Sequence, residues 1–369
     1  MGEKKDGLLQ LKAGLEGLLD PVELFKHLAV AAESQPPSQP STMLMHVRFR
    51  EDKADVEKLA NYLWLCAPNY SLSRRRREEL RAQMAKAPHG DLSLVNLVSN
   101  TVRDAFLEFN KVHPHRSSEV GELLAYCIAL EQLGAAQLLA KMALKTNNNM
   151  PVHGLDGIHG KVEGGWLTLY FLESKLSSSA NSGAKEFAES VAEFSNNTKQ
   201  YQREYQLVKE LGNLDALSPD DKKVALKYFD IFGSSDIPKR ERYVGVVLYS
   251  DASAFESLPP VNDDQSPGFH EKVFANAYAE QLQHHQAAVL KHLNASNGKA
   301  EKCRIYFVAV PDARVVRELF YQAMGYVPPK TRTAKKAVTL KAAPIAKKAP
   351  AAKKLTSAKK TTVAKTGTT

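Results

Sequence analysis

The sequence predicts an α/β protein: a mixed central sheet flanked by helices. Three observations carry that prediction. The runs Arg242–Ser250 (RYVGVVLYS) and Cys303–Val310 (CRIYFVAV) are rich in β-branched and aromatic residues. Both read as clear strands. A third run, Trp166 to Lys175, has the same character, and long stretches with apolar residues at helical spacing separate the three. With 369 residues, 43% of them hydrophobic, the chain is long enough for a sizeable core and for two domains.

Taken in order, residues 7 to 33 read as helical, with Leu8, Leu9, Leu11, Leu15, Leu18 and Leu19 on a broad apolar face. Pro21 either breaks this run or opens a second helix. The segment QPPSQPST, residues 35–42, is a linker by composition. A strand is expected from Met43 to Arg50 and a helix from Lys53 to Leu65. Arg74 to Arg77, four arginines in a row, open another helix, either as a solvated face or as a contact for phosphate or a partner. Apolar spacing from Leu92 to Phe109 gives a further helix. These elements define a mostly helical N-terminal region, 1–110.

The second region, 111–328, starts with a helix from Glu119 to Glu131. Ser118 is placed to cap it, and Leu123, Leu124, Cys127 and Ile128 form its apolar stripe. After the strand at Trp166, residues 184–232 look largely helical, with a cap signal at Ser218. The strand at Arg242 is followed by a proline-rich loop, 257–267, and one long helix from Phe269 to Leu293. The strand at Cys303 and a closing helix, Ala313 to Met324, complete the region.

Residues 329–369 form a third segment. From 330 onward it holds eleven Lys, one Arg and no acid, and few large apolar residues. It is expected to be disordered, because it cannot bury enough surface to offset the entropy of ordering. The net charge of the whole chain is +9. The tail contributes +12, so the rest of the chain carries −3 and the basic character belongs to the tail alone. Spaced lysines such as Lys335, Lys336, Lys347 and Lys348 suit salt-sensitive contact with nucleic-acid phosphates; a merely solubilising tail is the other reading.

Composition also excludes several classes. The three cysteines, Cys66, Cys127 and Cys303, are far apart and include no Cys-x-x-Cys. That argues against a disulfide framework or zinc site and fits a reducing cytoplasm. No apolar run approaches the roughly 18 residues of a membrane span. MGEKKDGLLQLK has no signal-peptide core, and Asp6 breaks the myristoylation pattern. No P-loop, dinucleotide fingerprint or helicase motif is present, so nucleotide hydrolysis is not expected of this chain.

The chemistry concentrates between His153 and Lys175 (HGLDGIHGKVEGGWLTLYFLESK). Asp156 stands in a turn-rich opening, and a Gly-Gly reversal leads into the strand that carries Glu173 and Lys175. Residues two apart share a strand face, so Glu173 and Lys175 sit side by side. Carboxylates from adjacent strands, Asp156 and Glu173, can hold one hard cation such as Mg²⁺ through oxygen, and the Ser174 carbonyl offers a third oxygen. Such a cation polarises a phosphoryl group and acidifies bound water, while a neighbouring lysine positions that water and steadies the developing charge. A Glu-x-Lys step is also how a surface ion pair looks. Lys141 and Lys145 share a helix face and either approach DNA phosphates or are simply exposed. His153 and His159 flank Asp156 at a spacing that fits no strong metal pattern.

The Asp156…Glu173-x-Lys175 order, with a hairpin between, resembles the PD-(D/E)xK nucleases. The series Gly121-Glu122-Leu-Leu, Lys141-Met142, His153-Gly-Leu-Asp156-Gly-Ile-His159 and Leu172-Glu-Ser-Lys175 resembles the HamA family, the nuclease subunits of the Hachiman antiphage defence system. The resemblance covers roughly Met45 to Tyr326 and is specific from Glu119 to Lys175. It implies a restriction-endonuclease-like core and a deoxyribonuclease that uses Mg²⁺, with Mn²⁺ as a substitute. It implies a superfamily 2 helicase partner (HamB-like), DNA as substrate and no membrane. It also carries over Glu122, Asp156, Glu173 and Lys175 as the active site, with Asp156, Glu173 and Glu122 on the metal. Read alone, Glu122 is equally an acid that favours a helix N-terminus. A non-catalytic DNA-binding or regulatory subunit is the alternative. The long basic tail departs from the family pattern.

Overall fold

The computed structural model describes residues 2–326, except 90, 113–118, 141, 143–154, 198, 200, 201, 204, 205, 209–212, 230–237, 261, 263 and 264. Lys141, Lys145, His153, Ser118 and the whole basic tail lie outside the described residues.

The chain opens with α1 (Gly2–Glu16), then β1 (Leu28–Glu33) and β2 (Ser41–Val47), and a small ribbon of β3 (Phe49–Arg50) and β4 (Lys53–Ala54). Helices α2 (Val56–Ser71), α3 (Arg74–Lys86), α4 (Ser93–Val112) and α5 (Glu119–Glu131) follow. Next come β5 (Ala136–Ala140), β6 (Gly157–Glu163), β7 (Trp166–Ser177), α6 (Ala180–Asn196) and α7 (Pro219–Tyr228). The chain continues through β8 (Lys239–Ser250), α8 (Ala252–Glu256), α9 (Phe269–Ala279), α10 (Leu282–Ala295), β9 (Cys303–Val310) and α11 (Ala313–Ala323). Several helix starts are set by the sequence itself. The side chains of Asp55, Ser73, Ser179 and Ser218 each accept a hydrogen bond from the backbone N–H three residues on, satisfying an orphan donor.

Seven strands form one sheet in the order β1-β2-β9-β8-β7-β6-β5. The four central strands, β2, β9, β8 and β7, run parallel, and antiparallel hairpins close both edges. The centre is buried on both faces, which is why β8 and β9 read as continuous apolar runs. One face packs beneath α2, α5 and α11, with Tyr126, Phe106 and Phe320 in its core. The other packs against α1, α6, α9 and α10, with Phe187, Phe171 and Phe307. Strands from the first 110 residues lie in the same sheet as those from 111–328, and Met1–Val327 form one compact unit.

Three expectations are corrected. Residues 28–33 are not helical: Leu28–Glu33 is the edge strand β1, paired along β2. The proline-rich stretch expected as a linker is the turn of that hairpin, closed by Ser34 N–H to the Thr42 carbonyl and Thr42 N–H to Ser34 Oγ, both 2.8 Å. The long helix expected over 269–293 is two helices, α9 and α10, which break at Glu280–Gln281. The arginine run is divided. Arg74 and Arg77 turn inward onto buried Asp20, at 3.0 and 2.7 Å, where the Tyr126 hydroxyl also donates at 2.8 Å. Arg75 and Arg76 stay at the surface.

Candidate active site at the mouth of the β6–β7 hairpin

β6 and β7 pair antiparallel, with Gly157 opposite Leu172. Just before Gly157, Asp156 leaves the ladder and lies against Leu172 and Ser174. The Asp156 N–H donates to the Leu172 carbonyl at 2.8 Å. Its carboxylate Oδ2 accepts from the Ser174 N–H at 2.7 Å and from the Ser174 hydroxyl at 2.6 Å. The chain must be glycine at 157, since a Cβ there would lie 2.9 Å from the Leu139 carbonyl oxygen. Asp156 is therefore held by the backbone and side chain of the residue that separates Glu173 from Lys175.

The first turn of α5 sits directly on Ser174. A Cβ on Gly121 would come within 3.1 Å of Ser174 Oγ. The next residue, Glu122, is buried, and Tyr70 of α2 donates its hydroxyl proton to Glu122 Oε2 at 2.8 Å. Burial pushes the Tyr70 pKa well up, and the negative charges of Glu122 and then Asp156 push it further. The phenol thus stays a proton donor, and the two acids share its surroundings. Glu119, also buried, accepts from the Tyr321 hydroxyl at 3.2 Å. The sequence offers only the Ser174 carbonyl, not its N–H and hydroxyl, and it does not point to Tyr70 or Glu119. Tyr70 stands 52 residues before Glu122, and no local pattern announces that contact.

Glu173 and Lys175 alternate with Ser174, so they point to the opposite face, with Phe171, toward α6. They form an ion pair at 2.5 Å, with Glu173 buried and Lys175 partly so. Helix α6 approaches this face closely because two glycines allow it. A Cβ on Gly245, which is in register with Glu173, would fall 2.8 Å from the Phe187 ring. A Cβ on Gly183 would lie 2.2 Å from Val247, which is in register with Lys175.

The structure thus brings the four expected residues to one end of β7, in two groups. Glu122 and Asp156 lie with Tyr70 and Ser174 toward α5; Glu173 and Lys175 lie toward α6. Among the described residues, no three His, Cys, Asp or Glu side chains are grouped to hold a metal ion. A two-carboxylate set is a different matter. Mg²⁺ usually takes one or two protein carboxylates and completes its shell with water and phosphate oxygens. Asp156 and Glu173 lie near one end of β7 and have the donor chemistry for that.

His159 is not built as a ligand. It is buried within β6, its Nδ1 bonds the Ala135 carbonyl at 2.9 Å, and Tyr126 packs edge-on against it. Burial lowers its pKa to about 4. The unfolded chain therefore protonates below about pH 6.5 while the folded chain does not, so stability is complete above pH 6.5 and declines toward pH 4. The full effect is about 3 kcal/mol, from 1.36 kcal/mol per pKa unit. Denaturant titrations between pH 7 and 4.5 should show this decline, and His159→Gln should flatten it. His285, likewise lowered to about 4 by burial, and His46, lowered by burial, add to the slope. Parallel slopes for wild type and His159→Gln would refute the assignment.

These features define the class: a mixed α/β protein with buried acids gathered at one end of its sheet. The sequence model of the HamA family matches residues 23–324, and the chain belongs to that family. The matched span includes Glu122, Asp156, Glu173 and Lys175, and it bears out the resemblance read from the sequence. No curated protein matches the chain. None of the described helices is long and apolar enough to cross a membrane.

Proposed function

We propose that this chain is the nuclease subunit of a Hachiman antiphage module and that it hydrolyses DNA phosphodiester bonds in a Mg²⁺- or Mn²⁺-dependent reaction. Family membership supports the link to Hachiman defence. The observation that carries the catalytic reading is the mouth of the β6–β7 hairpin. There Asp156 is fixed by Ser174, and the neighbouring Glu173 is paired with Lys175. The sheet around it is the element that a PD-(D/E)xK core would use.

Asp156 and Glu173 would hold the cation, which when bound supplies Lewis-acid polarisation of the phosphoryl group and a more acidic water. Ser174 keeps the Asp156 carboxylate oriented. Lys175 places its ammonium beside Glu173, where it can orient the attacking water and offset charge on the phosphorane. Glu122, held by Tyr70, adds negative charge on the α5 side and supports the site there. Lys141, Lys145 and the tail lysines are proposed DNA contacts, and a superfamily 2 helicase is the proposed partner. Three free, buried cysteines suit a reducing cytoplasm.

The second reading is a DNA-binding or regulatory subunit without catalysis. The separation of the acids onto two sides of β7 favours it. One experiment decides between them. The chain, with its helicase partner, is incubated with linear and circular DNA in Mg²⁺, Mn²⁺ or EDTA. Cleavage in either metal and none in EDTA is expected. Binding without cleavage under all conditions supports the second reading, and full cleavage in EDTA overturns the metal-dependent one. In the same assay, a chain lacking 330–369 should bind DNA with a shallower salt dependence; an unchanged slope removes the tail from the interface.

A further inference from the structure

At the opposite end of β7 lies a cavity of about 480 Å³ that no step of the proposed cleavage uses. Tyr170, three residues and about 10 Å of strand before Glu173, forms part of its floor. Arg242 is in register with Tyr170 on β8, and Arg304 on β9 is in register with Val244, one pleat along. The three side chains therefore share one face of the sheet. Pro36 and Pro37, in the turn between β1 and β2, give the cavity an apolar wall, and Glu33, Glu163 and Glu301 rim it.

The two arginines are not equally engaged. Arg304 gives one Nη to Glu33 at 2.7 Å, and its guanidinium lies 5.6 Å from the ring of Tyr306. Its buried Nε, and the hydroxyl of fully buried Tyr306 beneath it, have no hydrogen-bond partner among the described residues. Arg242 donates only to the Glu241 carbonyl, at 2.8 Å, and pairs with no carboxylate among the described residues. Tyr170, by contrast, spends its hydroxyl on Glu163 at 2.8 Å. Buried donors without partners are costly, and an uncompensated guanidinium over a concave floor is a place for an anion.

A bare oxyanion fits badly, because it would also meet three carboxylates. A ligand with one anionic group and several N–H or O–H donors fits both parts. The anion lies on the Arg242–Arg304 floor, the donors face the glutamate rim, and a flat apolar portion lies against Tyr170 and the prolines. We propose that this cavity binds a nucleoside monophosphate group, its phosphate on Arg242 and Arg304. The volume falls within the range of small-ligand pockets. The group can come from a free nucleotide or from the phosphorylated end of a DNA strand.

Calorimetric titrations of the full chain in EDTA, where metal-dependent cleavage is silent, test this apart from the nuclease reading. The probes are the four deoxynucleoside monophosphates, deoxyadenosine, inorganic phosphate, and a short oligonucleotide with or without a 5′-phosphate. At least one nucleotide probe should bind saturably. Removing its phosphate, or changing Arg242→Gln, should weaken it about tenfold at an unchanged melting temperature, as expected for losing a charged hydrogen bond. Arg242→Lys, which keeps the charge without the fork, should fall between. Binding of mononucleotides identifies a free nucleotide as the source; binding of the 5′-phosphorylated oligonucleotide alone identifies a strand end. The proposal is overturned if no nucleotide probe saturates at millimolar concentration. It is equally overturned if inorganic phosphate binds as tightly as the nucleotides, or if Arg242→Gln binds like the wild type.

Discussion

Replacing Asp156 with asparagine should reduce metal-dependent DNA cleavage about a thousandfold while the protein stays folded. The magnitude follows if Asp156 is one of two carboxylates that hold the cation, as proposed: such a site supplies several kcal/mol, and each 1.4 kcal/mol is tenfold in rate. The fold should survive because the asparagine carbonyl can still accept from the Ser174 N–H and hydroxyl, which now bond Asp156 at 2.7 and 2.6 Å. Glu173→Gln should act likewise on rate and also remove the charge that Lys175 pairs with. Cleavage rate, Mn²⁺ binding by calorimetry and melting temperature should be read on both variants. Wild-type cleavage by Asp156→Asn would remove the hairpin from the chemistry. A collapse of melting temperature would mean only that the Ser174 contact is structural, so Asp156→Glu and Ser174→Ala complete the set. Ser174→Ala leaves the backbone N–H contact in place and should cost far less rate than Asp156→Asn.

The second large effect is expected at Lys175. Lys175→Met removes the ammonium and should lower cleavage about a hundredfold, the low end for a group that assists proton movement at a reacting centre. Lys175→Arg separates three roles. If the residue must exchange a proton with water, the always-charged and forked guanidinium fails and the loss resembles that of methionine. If it only offsets phosphate charge, arginine retains much of the rate. If it is only the partner of buried Glu173, arginine is nearly wild type, and methionine lowers stability more than rate, because it removes one charge paired with a buried carboxylate. The close approach of α6 bears on this test: the Gly183–Val247 contact leaves limited room for a larger head group. Lys175→Gln, smaller and neutral, provides the control for fit. Unaltered cleavage by Lys175→Met would exclude Lys175 from the active site.

Much of this architecture is legible in the residue pattern, where local and tertiary preferences agree. The helix Glu119–Glu131 and the strand Cys303–Val310 fall where periodicity places them, because each is apolar enough to be buried whatever its neighbours. Leu28–Glu33 was misread because LAVAAE has no alternation and good helix formers; only hydrogen bonding along β2 makes it a strand. The break at Glu280–Gln281 carries neither glycine nor proline, so nothing local marks it. The arginine run could be read as charged, but not as half buried. Arg74 and Arg77, three apart on one helix face, are claimed by Asp20, which lies more than fifty residues earlier. The proposed site is readable from the sequence only as an order of acids and lysine that forms a motif. It is not readable in Tyr70 or in the N–H and hydroxyl of Ser174, whose contacts depend on which elements pack over the strand. Nor did the motif reveal that β7 stands between Glu122 and Glu173.

The place of β9 in the sheet has a consequence for how the molecule is made. Residues 41–46 of β2 find their parallel partner only at residues 304–309, and β8 finds its second neighbour on the same strand. A growing chain on the ribosome therefore presents the β6–β7–β8 part of the sheet and the β1–β2 hairpin as two pieces, each with an open edge. They cannot be joined until some three hundred residues have been delivered. Such long-range closure is slow, and unpaired edges recruit other strands. A nascent or truncated chain that stops before Cys303 can hold Asp156, Glu173 and Lys175 and still lack the strand that welds the sheet together. The interval before β9 emerges is thus the one in which both edges stay open to wrong partners.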